Sequence, residues 1–148
     1  MAALCVDIYV ASHVEFMGPN RGRGGYGVVL HCPDRDTRKV LGDGVADSTD
    51  YSSLLLAVVA ALGSLKQQGL RLRMFSRNKS FCQSFSISNK LEQLARKKDD
   101  NYSRFALVNY YLSLHESFEP VWLEDDGNPL YSVAKQAAVE ASCRCWNS

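Results

Sequence analysis

Two periodicities divide this chain. Residues 5–12 form a short apolar run with β-branched Val6, Ile8 and Val10, which suits a buried strand. Residues 18–25 are rich in glycine and predict a turn, because glycine enters backbone conformations closed to other residues. Residues 26–32 continue as a second strand, Pro33-Asp34-Arg35-Asp36 reads as a tight turn, and residues 37–46 make a third strand. Three strands joined by turns predict an antiparallel meander.

The period then changes. Ser48-Thr49-Asp50 offers helix N-cap chemistry, and residues 51–68 predict a long helix. Its apolar side chains (Leu54, Leu55, Leu56, Val58, Val59 and Leu62) leave almost no polar face, which places it in the middle of a domain. Gly69 ends it. Residues 70–75 return as a strand, and short joints on both sides predict a crossover parallel to the first strand. Residues 78–86 read as a short helix or turn, and 89–104 are the most polar stretch. Residues 105–115 predict a helix with an aromatic stripe, 120–124 a last strand, and 129–143 an alanine-rich closing helix. No repeat, low-complexity tract or linker interrupts this order.

Size and charge narrow the picture. The 148 residues are enough for one core, so residues 1–148 are expected to form a single domain. Seventeen basic residues against sixteen acidic ones leave a net charge of +1, so no global field draws the protein to nucleic acid. The five cysteines, including Cys143-Arg144-Cys145, lack zinc-ligand spacing and point to a reducing, intracellular compartment. The apolar run at residues 54–62 is too short to span a bilayer, and no secretory signal is read at the N-terminus, so no membrane role is expected.

One segment carries a resemblance. Asp7-Ile8-Tyr9-Val10-Ala11-Ser12, followed by Gly18-Pro19-Asn20-Arg21-Gly22-Arg23-Gly24-Gly25-Tyr26-Gly27-Val28-Val29-Leu30, resembles the opening hairpin of ribonucleases H. The predicted element order agrees with that family along most of the chain. The resemblance implies an α/β fold, a five-stranded mixed sheet ordered 3-2-1-4-5 with helices on both faces. It also implies a site that cuts the RNA strand of RNA/DNA hybrids using two magnesium ions, which need clustered oxygen ligands.

The family's four acidic positions are not acidic here. By the hairpin match, Ala11 stands at the first. Thr49-Asp50-Tyr51-Ser52-Ser53-Leu54 resembles the segment that carries the second, with Leu54 at the acid's place. Phe75-Ser76-Arg77-Asn78 puts Arg77 at the third, and Gly127-Asn128-Pro129-Leu130-Tyr131-Ser132 puts Tyr131 or Ser132 at the fourth. Alanine and leucine have no ligand atoms and arginine is a fixed cation, so neither a metal nor any other cofactor is expected. Asp7 shares a strand face with Ala11 but stands about 13 Å away along the strand. The resemblance therefore implies a pseudoenzyme.

Other residues keep binding chemistry. Arg21, Arg23, Thr49, Arg77, Asn78 and Lys79 fall where the resemblance puts the nucleic-acid backbone. An arginine at position 77 forks onto a phosphate or, alternatively, pairs with Asp125 or Asp126 as a neutral plug. Arg96-Lys97-Lys98 is similar to the family's basic protrusion, but Asp99 and Asp100 offset it. Phe105, Val108 and Leu112 recur at core spacing, whereas Tyr110 and Tyr111 are candidates for a surface interface. His13, His31 and His115 sit on separate elements and form no site. Two functions follow: a non-cleaving binder of RNA/DNA hybrid or duplex RNA, or a rigid module for a protein partner or a homo-oligomer.

Overall fold

The computed structural model describes residues 4–18, 21–46, 49–86, 93, 95–97 and 101–146. Strand β1 (Cys5–Gly18) pairs antiparallel with β2 (Arg21–Cys32), which pairs antiparallel with β3 (Thr37–Val45). Helix α1 (Asp50–Gly63) crosses over to β4 (Arg71–Ser76), parallel to β1. After α2 (Lys79–Ser84) and α3 (Tyr102–Leu112) comes β5 (Ser117–Trp122), parallel to β4. Helix α4 (Pro129–Trp146) closes the described chain. The sheet order is β3-β2-β1-β4-β5, with helices on both faces, as the resemblance implied.

The sheet separates two cores. On one face Ile8, Val10, Val28 and Met74 pack with Leu54, Leu55 and Val58 of α1 and with Phe105 and Val108 of α3. On the other, Tyr9, Ala11 and Val29 meet Tyr131, Ala134 and Ala138 of α4. Strand period two sends alternate β1 side chains to opposite cores, which is why this run is apolar throughout.

The structure corrects several expectations. The glycines around position 25 are not a turn: β1 runs to Gly18 and β2 already begins at Arg21. Their purpose is close packing. A Cβ at Gly25 would lie 2.6 Å from the Ser142 amide nitrogen, and one at Gly27 would run into the Ala134 carbonyl. Among the described glycines only Gly69 has positive φ, at 73°. Helix α1 stops at Gly63 rather than residue 68, where the Ser64 hydroxyl turns back to the Ala61 carbonyl. Strand β5 begins three residues earlier than expected, because its pairing partner Arg71 sits opposite Ser117. Phe105 and Val108 are core and Tyr110 is 60% exposed, but Tyr111 leans onto the core rather than into solvent.

Candidate functional site

Four chain segments meet at one end of the sheet. Strand β1 brings Val10, Ala11 and Ser12, and the first turn of α1 brings Asp50 and, one turn on, Leu54. The end of β4 and the start of α2 bring Ser76, Arg77, Asn78, Lys79 and Ser80, and α4 brings Tyr131 and Lys135. They line an open cleft of about 420 Å³. The residues at all four positions of the resemblance, Ala11, Leu54, Arg77 and Tyr131, thus converge, although they lie far apart in sequence. Ser132, the other candidate for the fourth position, is exposed and lines a neighbouring groove instead.

Local chemistry explains each placement. The Thr49 hydroxyl accepts from the Ser52 amide at 3.1 Å and caps α1, and that helix begins beside Ser12, in the middle of β1. Asn78 Oδ1 accepts from the Phe81 amide at 2.9 Å and caps α2. Asn128 Oδ1 accepts from the amides of Leu130 and Tyr131, which starts α4 with Tyr131 turned inward. The Ser76 hydroxyl accepts from the Asn78 amide, tightening the bend from β4 into α2.

The floor is apolar and the rim is charged. Ala11 and Leu54 are buried. Burial raises the Tyr131 phenol above its ordinary value; Asp126 and Asp50 push the same way and Arg77 opposes them. The Ser12 hydroxyl donates to Asp50 Oδ1 at 2.9 Å, and Lys135 Nζ donates to the Ser12 carbonyl at 2.6 Å. Arg77 Nε lies 2.8 Å from Asp126 Oδ1, and its Nη1 donates to the Leu123 carbonyl at 3.2 Å. Lys79 Nζ stands 4.8 Å over the Trp122 ring, whose Nε1 donates to the Arg77 carbonyl.

This donor set does not fit two magnesium ions. Hard divalent cations require several converging oxygen ligands, and Ala11, Leu54 and Arg77 offer none. Of the described residues that line the cleft only Asp50 is a carboxylate, and it already accepts from Ser12. Asp7 does not line the cleft and is buried in a bidentate pair with Arg73, at 2.8 and 2.9 Å. Among the described residues no three His, Cys, Asp or Glu side chains form a group able to hold a metal ion.

The remaining candidates divide. Arg77, Asn78 and Lys79 line the cleft; Thr49 is the cap of α1 and does not. Arg23 is exposed on β2 opposite Glu15 of β1. The side chains of Arg21 and Cys145 lie outside the described residues, as do Ser48, Lys98, Asp99 and Asp100. Of the two acids expected near Arg77, Asp126 makes the pair, while Asp125 Oδ1 accepts from the Gly127 amide in its own turn. Sequence reasoning missed Ser12, Asp50, Lys135 and Trp122. The signal for Lys135 was present: it stands one helical turn after Tyr131, on the same face.

No protein-family model and no curated protein sequence matches the chain. Solved structures do. It is similar to LC9-RNase H1, a type 1 RNase H with the type 2 active-site motif, at 15% identity and a TM-score of 0.77, over 97% of this chain and 74% of that one. The N-terminal RNase H domain of Rv2228c from Mycobacterium tuberculosis matches at 15% identity and 0.74, over 98% of each chain. LC11-RNase H1 in complex with an RNA/DNA hybrid matches at 14% and 0.68, over 93% of this chain and 99% of that one. The fold is therefore ribonuclease H-like. No helix of the described residues is long and apolar enough to cross a membrane.

Proposed function

We propose that this ribonuclease H-like domain is a pseudoenzyme that binds the backbone of an RNA/DNA hybrid or duplex RNA at the cleft without cutting it. One observation carries the reading: the cleft keeps three cations, Arg77, Lys79 and Lys135, around a floor of Ala11, Leu54 and Tyr131. A site that lines positive groups around a pocket lacking metal ligands is suited to hold a phosphate and unsuited to activate water at it. The similar fold of LC11-RNase H1, solved with an RNA/DNA hybrid, supports duplex as the form of ligand.

The affinity is low and independent of sequence. Asp50 and Asp126 stand among the three cations, so the net local charge is small. Contact with one or two phosphates corresponds to a log–log salt slope of about −1 to −2 on duplex. The same acids favour a second reading, a rigid module for a protein partner, because the Arg77–Asp126 pair leaves that rim nearly neutral.

The test is a titration against RNA/DNA hybrid, duplex RNA and single strands at two salt concentrations, without magnesium. Salt-sensitive binding to a duplex, weakened by Lys79→Ala, supports the first reading. Absence of binding at low salt overturns it in favour of the second. Release of cut RNA when magnesium is added would refute the loss of chemistry.

A further inference from the structure

We infer that the free edge of β3 pairs antiparallel with the same edge of a second copy of this chain, centred on Leu41, to form a weak two-fold dimer. This surface is independent of the cleft. Among the described residues strand β3 ends the sheet and is bonded on one side only, to β2. Nine residues long and without proline, it presents an unbroken run of backbone donors and acceptors. The opposite edge is different: β5 carries Pro120 in its middle, which has no N–H to give.

Edge strands are normally protected from pairing by like charges, and β3 carries Arg38 and Lys39. Its sequence turns that protection around in one register. Antiparallel pairing of Thr37–Val45 with itself about Leu41 sets position 39 opposite 43, and position 40 opposite 42. Lys39 of each copy then faces Asp43 of the other, giving two opposite-charge pairs related by symmetry. Both side chains are exposed. Lys39 has no ion-pair partner among the described residues, and Asp43 Oδ1 accepts only from its neighbour, the Gly44 amide.

The apolar positions fit the same register. Leu41 leans on the α1-side core, so two Leu41 side chains meet on that face between the charge pairs. Val40, 50% exposed, faces Gly42, which has no side chain of its own to oppose it. A shift by one residue would invert one copy relative to the other, setting the α1 face of one beside the α4 face of its partner, so that the two Leu41 side chains no longer meet. Residues 38–44 pair over about 24 Å of edge, which is short for a permanent interface and marks a weak, concentration-dependent one.

Sedimentation equilibrium of the whole chain, from micromolar to millimolar concentration, reads the association directly. The exposed substitutions Asp43→Lys and Lys39→Asp each set like charges face to face, and each is expected to weaken dimerisation on the order of tenfold. An equal mixture of the two variants restores opposite charges across both pairs, so a heterodimer forms where neither variant alone dimerises. Unchanged circular dichroism and Tm show that each variant still folds. A wild-type chain that stays monomeric at millimolar concentration overturns the inference. So does a mixture that associates no better than its components.

Discussion

Arg77 Nε lies 2.8 Å from Asp126 Oδ1, joining the end of β4 to the loop that precedes α4. The guanidinium is one-third exposed and the carboxylate mostly so. An ion pair this wet contributes little to stability, and it opens easily to a competing anion. The same arginine is held from the other side by the Leu123 carbonyl. Its position in the cleft therefore survives loss of the acid, and its charge does not depend on it.

Asp126→Asn follows directly. Removing the acid leaves Arg77 in place and the cleft one unit more positive. Stability is expected to change by less than about 1 kcal/mol. Under the proposed function, duplex affinity rises and the log–log salt slope steepens by about 0.9. Fluorescence titration at two salt concentrations checks both. An unaltered slope would mean that no phosphate approaches Arg77.

The Asp7–Arg73 pair behaves differently, because the Asp7 side chain is buried at 6% exposure. Arg73→Met leaves that carboxylate buried without its cation. With the guanidinium half exposed in the native protein, the expected loss is about 2–3 kcal/mol, at or below the low end for buried pairs. Urea denaturation measures it. Replacing both partners, with Asp7→Leu added, recovers most of the stability, since no buried charge is then stranded.

Gly27→Ala tests how α4 is seated. The added methyl would meet the Ala134 carbonyl and Ala138 amide, both backbone atoms of α4, so the helix has to move. A destabilisation of about 1–3 kcal/mol is expected, seen as a lower Tm. Gly69→Ala offers a contrast: nothing lies near its Cβ, and its cost comes from positive φ alone. A Tm unchanged by Gly27→Ala would mean that α4 does not approach β2 this closely.

His115 gives the fold an acid-side pH dependence. The Leu70 amide donates to its Nδ1 at 3.3 Å, which requires the neutral ring, and burial lowers its pKa below the ordinary 6.5. Above 6.5 the ring is neutral in both folded and unfolded chains and this contribution is complete. As pH falls below 6.5 the unfolded chain takes up the proton first, so stability declines down to the folded-state pKa. Denaturation midpoints between pH 7 and 5 should fall less steeply in His115→Gln than in wild type.

Much of the fold was legible because it depends on local pattern. A short apolar, partly β-branched run marked β1, the fully apolar face-to-face run marked α1 as central, and Phe105 and Val108 recur at core spacing. The errors share a cause. The glycines of β2 looked like a turn because sequence shows that a side chain is missing but not what fills its place. The length of α1 was overestimated because Gln67 and Gln68 are good helix formers, while its end is set locally by Gly63 and Ser64. Tyr111 looked exposed beside Tyr110, yet its ring turns toward Gly63 of α1.

The cleft divides in the same way. Residue types at Ala11, Leu54, Arg77 and Tyr131 could be read from the chain, since side-chain chemistry belongs to the residue itself. Convergence could not. Only the crossover through α1 and the return of α4 bring Asp50 and Lys135 into the cleft with Arg77, only the pairing of β5 with β4 sets Trp122 beside it, and only the loop before α4 selects Asp126 over Asp125 as its partner. Hydrophobic period acts over a few residues and so is written in order along the chain. Charge pairing and cleft formation act between elements dozens of residues apart, so they exist only once the sheet has fixed which ends meet.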